Sequence, residues 1–306
     1  MENNQNKKTF DEVLKELKPA EIAEHATVRD KFTDILMKIH RMPEHEAISV
    51  YEREKNYFVK AINESTYSGY GRLHTCTNLS LFNAFVEIAI LGLSIQPGGK
   101  AEAFIEPRST KMKYKNSEGK DVENWVTTAR LVLMTHGELN LRLRAGQIIR
   151  MANPQVIYEG DMFQPKTNAK GDLYVDYQPA IPRKSSRIIG CYVCLVLPND
   201  QRDFKWLLQD DIERLKKYSV PKSGQNPQAN SLYTAGTDGQ IDTGFLETKT
   251  IKHAMRTLTK LKVSGNVAFE DEGDPEQQVQ HHEQNVETTS VNDQTNDDKD
   301  DPDKPF

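Results

Sequence analysis

The chain has 306 residues, enough for one substantial core or two, and a modest hydrophobic fraction of 37%. Its 45 acidic and 40 basic residues give a net charge of −5, but thirteen of the acids and only two of the lysines lie between Glu270 and Phe306, so residues 1–269 carry a net of +6. No apolar run reaches membrane-spanning length and no charged-then-apolar leader opens the chain. The three cysteines make no disulfide framework, which leaves a protein expected in a reducing cytoplasm with no membrane partner.

Residues 1–66 predict an N-terminal helical region. A short helix through Phe10, Val13, Leu14 and Leu17 is closed by Pro19, and apolar residues then recur at helical spacing through Phe32, Ile35, Leu36 and Ile39 and through Val50, Tyr51, Phe58 and Ile62. A linker, Tyr67-Ser-Gly-Tyr-Gly-Arg72, leads into the core expected over 67–266. There the run from Ser80 reads as a buried helix capped by Ser80, with Leu81, Phe82, Phe85, Ile88, Ala89 and Leu91 on a broad apolar face. Gly92 sits where a left-handed terminus favours glycine, and Pro97-Gly98-Gly99 turns the chain into a strand.

Two β-rich runs around a Ser-Glu-Gly loop predict a long hairpin over Lys111–Arg130. Lys111, Lys113 and Lys115 alternate and so share one face, either as a solvated edge that blocks aggregation or as a rail for phosphates. Lysines spaced by two along a strand lie roughly 6–7 Å apart, near the phosphate spacing of an extended single strand. Trp125 on the same hairpin can supply base stacking or core. One to two helical turns carrying Arg142 and Arg144 follow, then strands over Gln147–Tyr158 and Leu173–Tyr177. The basic loop Pro182-Arg183-Lys184-Ser-Ser-Arg187 enters a strand that pairs with Asp203–Leu208. A helix capped by Asp210 ends on Lys216 and Lys217, residues 219–243 read as a long loop, and a last helix over Gly244–Leu261 turns Lys249, Lys252, Arg256 and Lys260 outward. From Glu270 the acidic, apolar-poor sequence predicts disorder, because it cannot offset its ordering entropy by burial. The fold class expected is α+β: an antiparallel sheet and hairpin packed with helices, an N-terminal helical region, and an acidic tail over 267–306.

Enzyme motifs fail on inspection. Cys191 and Cys194 form a C-x-x-C on a strand, where residues three apart point to opposite faces and cannot chelate one ion. Gly99-Lys100 lacks both the first glycine and the final Ser or Thr of a phosphate loop. Glu247-Thr-Lys249, with Asp242 upstream, has the look of a metal-dependent nuclease, but such a site needs a core strand and the residues that follow have helical period. No catalytic residue and no metal ligand is assigned.

Five segments, in order over about 80–262, carry a family resemblance. They are Ser80-Leu-Phe-Asn-Ala-Phe to Phe104-Ile-Glu-Pro; His136-Gly-Glu-Leu-Asn-Leu-Arg-Leu-Arg-Ala-Gly-Gln-Ile; Val156-Ile-Tyr-Glu-Gly-Asp-Met-Phe; Ile189-Gly-Cys-Tyr-Val-Cys with the helix ending at Ser219; and Leu246-Glu-Thr-Lys-Thr-Ile-Lys. Together they resemble the RecT family of phage and prophage single-strand annealing proteins. The chain differs from the family's usual pattern in having Tyr233 in the loop before the last helix, where a tryptophan is usual, and Thr248-Lys249-Thr250 within it.

The resemblance implies an ATP-independent recombinase that binds single-stranded DNA and the annealed duplex intermediate, assembles as a ring or filament of identical subunits, and anneals complementary strands beside a partner exonuclease in a bacterial host. It implies no cofactor, with a Mg²⁺ dependence of annealing left open, and oligomer contacts in residues 1–66. The expected DNA contacts are Lys111, Lys113, Lys115, Trp125, Arg130, Arg142, Arg144, Arg183, Lys184, Arg187, Lys216, Lys217, Ser219, Lys249, Lys252 and Arg256. One strand is expected along a groove between the hairpin and the helices bearing Lys216, Lys217, Lys249 and Lys252. A passive single-strand-binding protein and, more remotely, a metal nuclease are the rivals. The tail ends in Pro305-Phe306 after a run of aspartates and resembles the tip of bacterial single-stranded-DNA-binding protein, which suggests docking to the host's copy of that protein or to its interactors, or shielding of the basic surface.

Overall fold

A computed structural model describes residues 9–66, 71–115, 119–220, 228–263 and 267–268. The linker residues 67–70 and the acidic tail from residue 270, including Pro305 and Phe306, lie outside the described residues. Two compact units divide the chain, the first built from residues 1–151, 195–201 and 255–268 and the second from 152–194 and 202–254 among the residues described.

In the first unit, Thr9 starts α1 (Phe10–Glu16) with a capping box: the Glu12 N–H donates to its hydroxyl and its own N–H donates to the Glu12 carboxylate at 2.8 Å. Two longer amphipathic helices follow, α2 (Ala26–His40) and α3 (Glu44–Asn63), then α4 (Asn78–Leu91). The apolar face of α4 is buried as the spacing predicts, and Phe85 is its centre. Its ring lies 4.7 Å from Phe32, 4.8 Å from Phe58 and 6.4 Å from Tyr51, so each earlier long helix contributes to one aromatic cluster. The cap differs from expectation: Thr77, not Ser80, precedes the first turn. The Ser80 hydroxyl donates instead to the Thr77 carbonyl at 2.7 Å and accepts the Ala129 N–H at 2.8 Å. Gly92 holds the expected left-handed conformation, with φ of 59°.

Strands β1 (Ala103–Lys115) and β2 (Asp121–Leu133) form one antiparallel hairpin in register from Ala103↔Leu133 to Lys115↔Asp121. Thirteen residues per strand reach about 40 Å. The base is stitched to α4 through the Ala129–Ser80 bond and through the Thr77 N–H, which donates to the Thr127 carbonyl at 3.0 Å. Helix α5 (Thr135–Arg144) and the short β3 (Arg150–Met151) follow.

The second unit is a small sheet backed by helices. β4 (Gln155–Tyr158) is followed by β5 (Met162–Thr167) and β6 (Leu173–Gln178), an antiparallel hairpin of which only β6 is foreseen in the sequence. β7 (Ile188–Val196) pairs antiparallel with β4 and, through Leu195 and Val196, with β3; β8 (Arg202–Leu208) also pairs with β7. Phe163, Tyr177 and Trp206 bind this hairpin to the sheet through ring contacts of 5.3–6.0 Å around Tyr192 and Phe163. α6 (Gln209–Tyr218) begins one residue before the expected cap, and Asp211, rather than Asp210, accepts the Leu208 N–H. α7 (Thr243–Met255) stops six residues short of Leu261. Cys191, Ile212, Tyr233 and Leu246 close the core beneath both helices. The short β9 (Lys262–Val263) and β10 (Val267–Ala268) pair in the first unit, so the expected start of the tail at 267 falls on a strand.

Gly137 sits in the first turn of α5, where a Cβ would lie 2.1 Å from the backbone oxygen of Glu102. In an open helix, Gly→Ala gains up to about 1 kcal/mol. Here Gly137→Ala should invert that sign and cost about 2 kcal/mol or more through overpacking. Urea unfolding measures it, and an unchanged or raised midpoint refutes the close approach.

Candidate nucleic-acid interface

The hairpin and the lysine-bearing helices fall in different units, so the expected contacts form tracts described separately. Cross-strand neighbours share a face, which places Lys111 opposite Trp125 and Lys113 opposite Glu123 on one side of the hairpin. The same face buries Ala103, Ile105 and Leu131 at its base, so beyond the core it changes from apolar to cationic. Trp125 is 64% exposed, which removes it from the core. Lys111 and Lys113 both ion-pair with Glu123, the latter at 3.2 Å. Hydrogen bonds from the two lysines hold the Glu123 carboxyl below its ordinary range. The backbone of Lys115 continues the row, opposite Asp121.

Arg130 does not join that row. It lies on the other face opposite Glu106, half-buried, with Arg108 two residues along β1 from Glu106 and paired to it at 2.7 Å. Burial and then the Arg108 charge push the Arg130 pKa down. Burial pushes the Glu87 carboxyl up, with Arg130 opposing it.

Arg142 and Arg144 have fold-building partners. Arg142 is 4% exposed, pairs with Glu138 at 2.7 Å, and donates to the Gln147 side chain at 2.6 Å and the Thr259 carbonyl at 3.1 Å. Arg144 donates to the Gly92 carbonyl at 3.0 Å, closing the C-terminus of α4 beside His40, whose Nε2 lies 2.9 Å from the Ala89 carbonyl oxygen. Arg256, half-buried, follows the last residue of α7.

In the second unit Arg183, Lys184 and Arg187 are exposed on the loop before β7. Arg187 pairs with Glu159 at 3.4 Å and donates to Gln209 at 3.3 Å. The Arg183 guanidinium carbon lies 3.5 Å from the centre of the Tyr158 ring. Lys217 is exposed in the last turn of α6 and Lys216 half-buried beside it. Ser219 is a capping residue: its hydroxyl donates to the Lys216 carbonyl at 2.8 Å and accepts the Asn230 N–H at 3.1 Å. On α7, Lys249 and Lys252 are half-buried rather than turned fully outward, and the Lys249 ammonium lies 5.1 Å from the Phe245 ring centre. Glu247 and Lys249 lie on that helix, not on a strand. Burial and then Asp242 push the Glu247 carboxyl up.

Sequence reading missed the group that orders the Arg183 loop. Asp161 accepts the Tyr158 N–H at 2.9 Å, the Ala180 N–H at 2.8 Å and the Tyr177 hydroxyl at 3.1 Å. Burial would raise its pKa, but these donors and the Arg183 charge outweigh it and leave the carboxyl below its ordinary value. The brace is therefore intact above the unfolded carboxylate value of about 3.9 and is lost as pH falls through the depressed folded value. Glu159-Gly160-Asp161 has turn chemistry in the sequence, but two of the three Asp161 partners are 16 and 19 positions away.

Cations on a long hairpin and on surface loops and helices, together with an exposed indole, are the chemistry of a protein that meets a polyanion. Among the described residues no group of three or more His, Cys, Asp or Glu is placed to hold a metal ion, and no helix is long and apolar enough to cross a membrane. The RecT family model matches residues 55–287, and the chain belongs to the RecT family. That membership makes it a single-strand annealing protein of phage-type DNA recombination. No individual curated protein gives a match.

The Arg142–Glu138 pair and the exposed Lys113 should differ in what they contribute to stability. Removing one partner of a buried ion pair typically costs about 3–5 kcal/mol. Arg142→Ala should lower the thermal midpoint by many degrees, whereas Lys113→Ala should change stability by no more than about 0.5 kcal/mol and leave the midpoint nearly at the wild-type value. Equal midpoints for the two variants would show that Arg142 is not structural.

Proposed function

We propose that the protein binds single-stranded DNA by its phosphate backbone, assembles on it as a homo-oligomer, and pairs it with a complementary strand without a nucleotide motor. The observation that carries this reading is the family match over residues 55–287. The face bearing Lys111, Lys113 and Trp125 supports it, since it combines cations for phosphates with an exposed ring for a base. Annealing runs downhill because each stacked pair yields about 1–2 kcal/mol. The protein need only neutralise two backbones while leaving the bases free to pair. A net of +6 over residues 1–269 is small for that task, and a polymer of subunits multiplies it.

In the first unit the contacts proposed are Lys111, Lys113, Lys115 and Trp125. In the second they are Arg183, Lys184, Arg187, Lys216, Lys217, Lys249 and Lys252. A partner exonuclease supplies the single strand. The acidic tail ending in Pro305-Phe306 docks to host proteins that recognise such a terminus, and deleting those two residues should abolish their capture; undiminished capture refutes the docking.

Mixing labelled complementary oligonucleotides with the protein, with and without Mg²⁺, tests the central reading. Accelerated pairing is expected. Retarded pairing would point to passive binding, and Mg²⁺-dependent fragments to a nuclease. Glu123→Gln releases two lysines from their internal partner and should tighten single-strand binding about threefold to tenfold at low salt while steepening its salt dependence. Unchanged affinity and slope would remove the hairpin lysines from the interface.

A further inference from the structure

The backbone contacts proposed at Arg183 and Lys184 line a cleft of about 600 Å³ in the second unit. That volume lies within the range of small-ligand sites, about 300–1,000 Å³. One wall is the Tyr158 ring with the Arg183 guanidinium laid over it at 3.5 Å. A planar cation backed by a phenol presents a flat outer surface of the kind on which unpaired bases stack.

The other wall is held rigid. Gln240 accepts the Ile188 N–H at 2.6 Å and donates to the Ser186 and Thr237 carbonyls, both at 3.2 Å. The Ser186 hydroxyl donates to Asp238 at 2.9 Å. Asp161 fixes the backbone at both ends of the stacked pair, at Tyr158 and at Ala180. Ordering entropy is thus already spent before any ligand arrives. Lys184 adds an exposed ammonium to the lining, and Asp242 adds a carboxylate. One Asp242 oxygen already accepts the Phe245 N–H at 2.8 Å, and a carboxylate in the lining opposes a lone phosphate.

We propose that this cleft receives one unpaired nucleotide of the bound strand, its base stacked on Arg183 over Tyr158 and its phosphate at Lys184. The proposal rests on the single-strand binding of the preceding section and adds to it a contact that reads a base rather than the backbone. Because the base must leave its neighbours' stack, the site holds unpaired strand and gives it up as a duplex forms.

The test is equilibrium binding of the full chain to two labelled strands of equal length, one with normal bases and one with abasic residues throughout. Arg183→Lys keeps the charge and removes the planar stack, at an exposed position where folding is not at stake. It should weaken binding of the base-bearing strand roughly fivefold to a hundredfold more than binding of the abasic strand. Equal loss on both strands would reduce the residue to a phosphate contact and overturn the proposal, as would no loss on either. Wild-type protein that binds neither strand would overturn the functional reading and this one with it.

Discussion

The packing of the Phe85 ring against Phe32, Phe58 and Tyr51 is the interaction on which the first unit depends. It locks α4 against the two long helices that precede it, and α4 in turn gives the hairpin its footing. A two-stranded hairpin is at best marginal in water, so the long β1–β2 pair needs an anchor at its base. Thr77 and Ser80 supply it by bonding the backbone of Thr127 and Ala129. A buried aromatic cluster thus sets where Lys111 and Trp125 stand, although none of its rings meets a ligand.

The cations of this chain differ less in charge than in what already holds them. Exposed pairs such as Lys113 with Glu123 or Arg187 with Glu159 are screened by solvent, so a phosphate can take over the cation with little loss. Arg142 is different, because its guanidinium is buried and shared among Glu138, Gln147 and Thr259. Exchanging those partners would expose the Glu138 carboxylate to an uncompensated burial. Arg144 stands between these cases, exposed yet closing the carboxyl end of α4.

In the second unit one carboxylate organises a loop that carries the exposed cations. Asp161 converts a turn after β4 into a brace reaching Tyr177 and Ala180, and thereby places Arg183 against Tyr158. A binding surface that must tolerate every sequence gains from such rigid flat groups, since stacking is indifferent to base identity whereas hydrogen-bond readout is not.

Much of the fold was legible in the residues because it rests on local rules. Helical spacing located α1 to α4, glycine chemistry located the turn at Gly92, and alternation located the long hairpin and its lysine face. Ordered wording over the core pointed to the RecT family, which the match over residues 55–287 bears out. What the residues alone left open were facts about distance in space. Alternation could not say that Arg130 lies on the face away from Lys111, because that depends on the pairing register of Arg130 with Glu106. Nor could composition say that Arg142 is buried, that α7 ends at Met255, or that Asp161 braces residues far along the chain. Sequence determines charge, periodicity and turn chemistry over a few residues, whereas burial and partnership are decided only when distant segments are packed together.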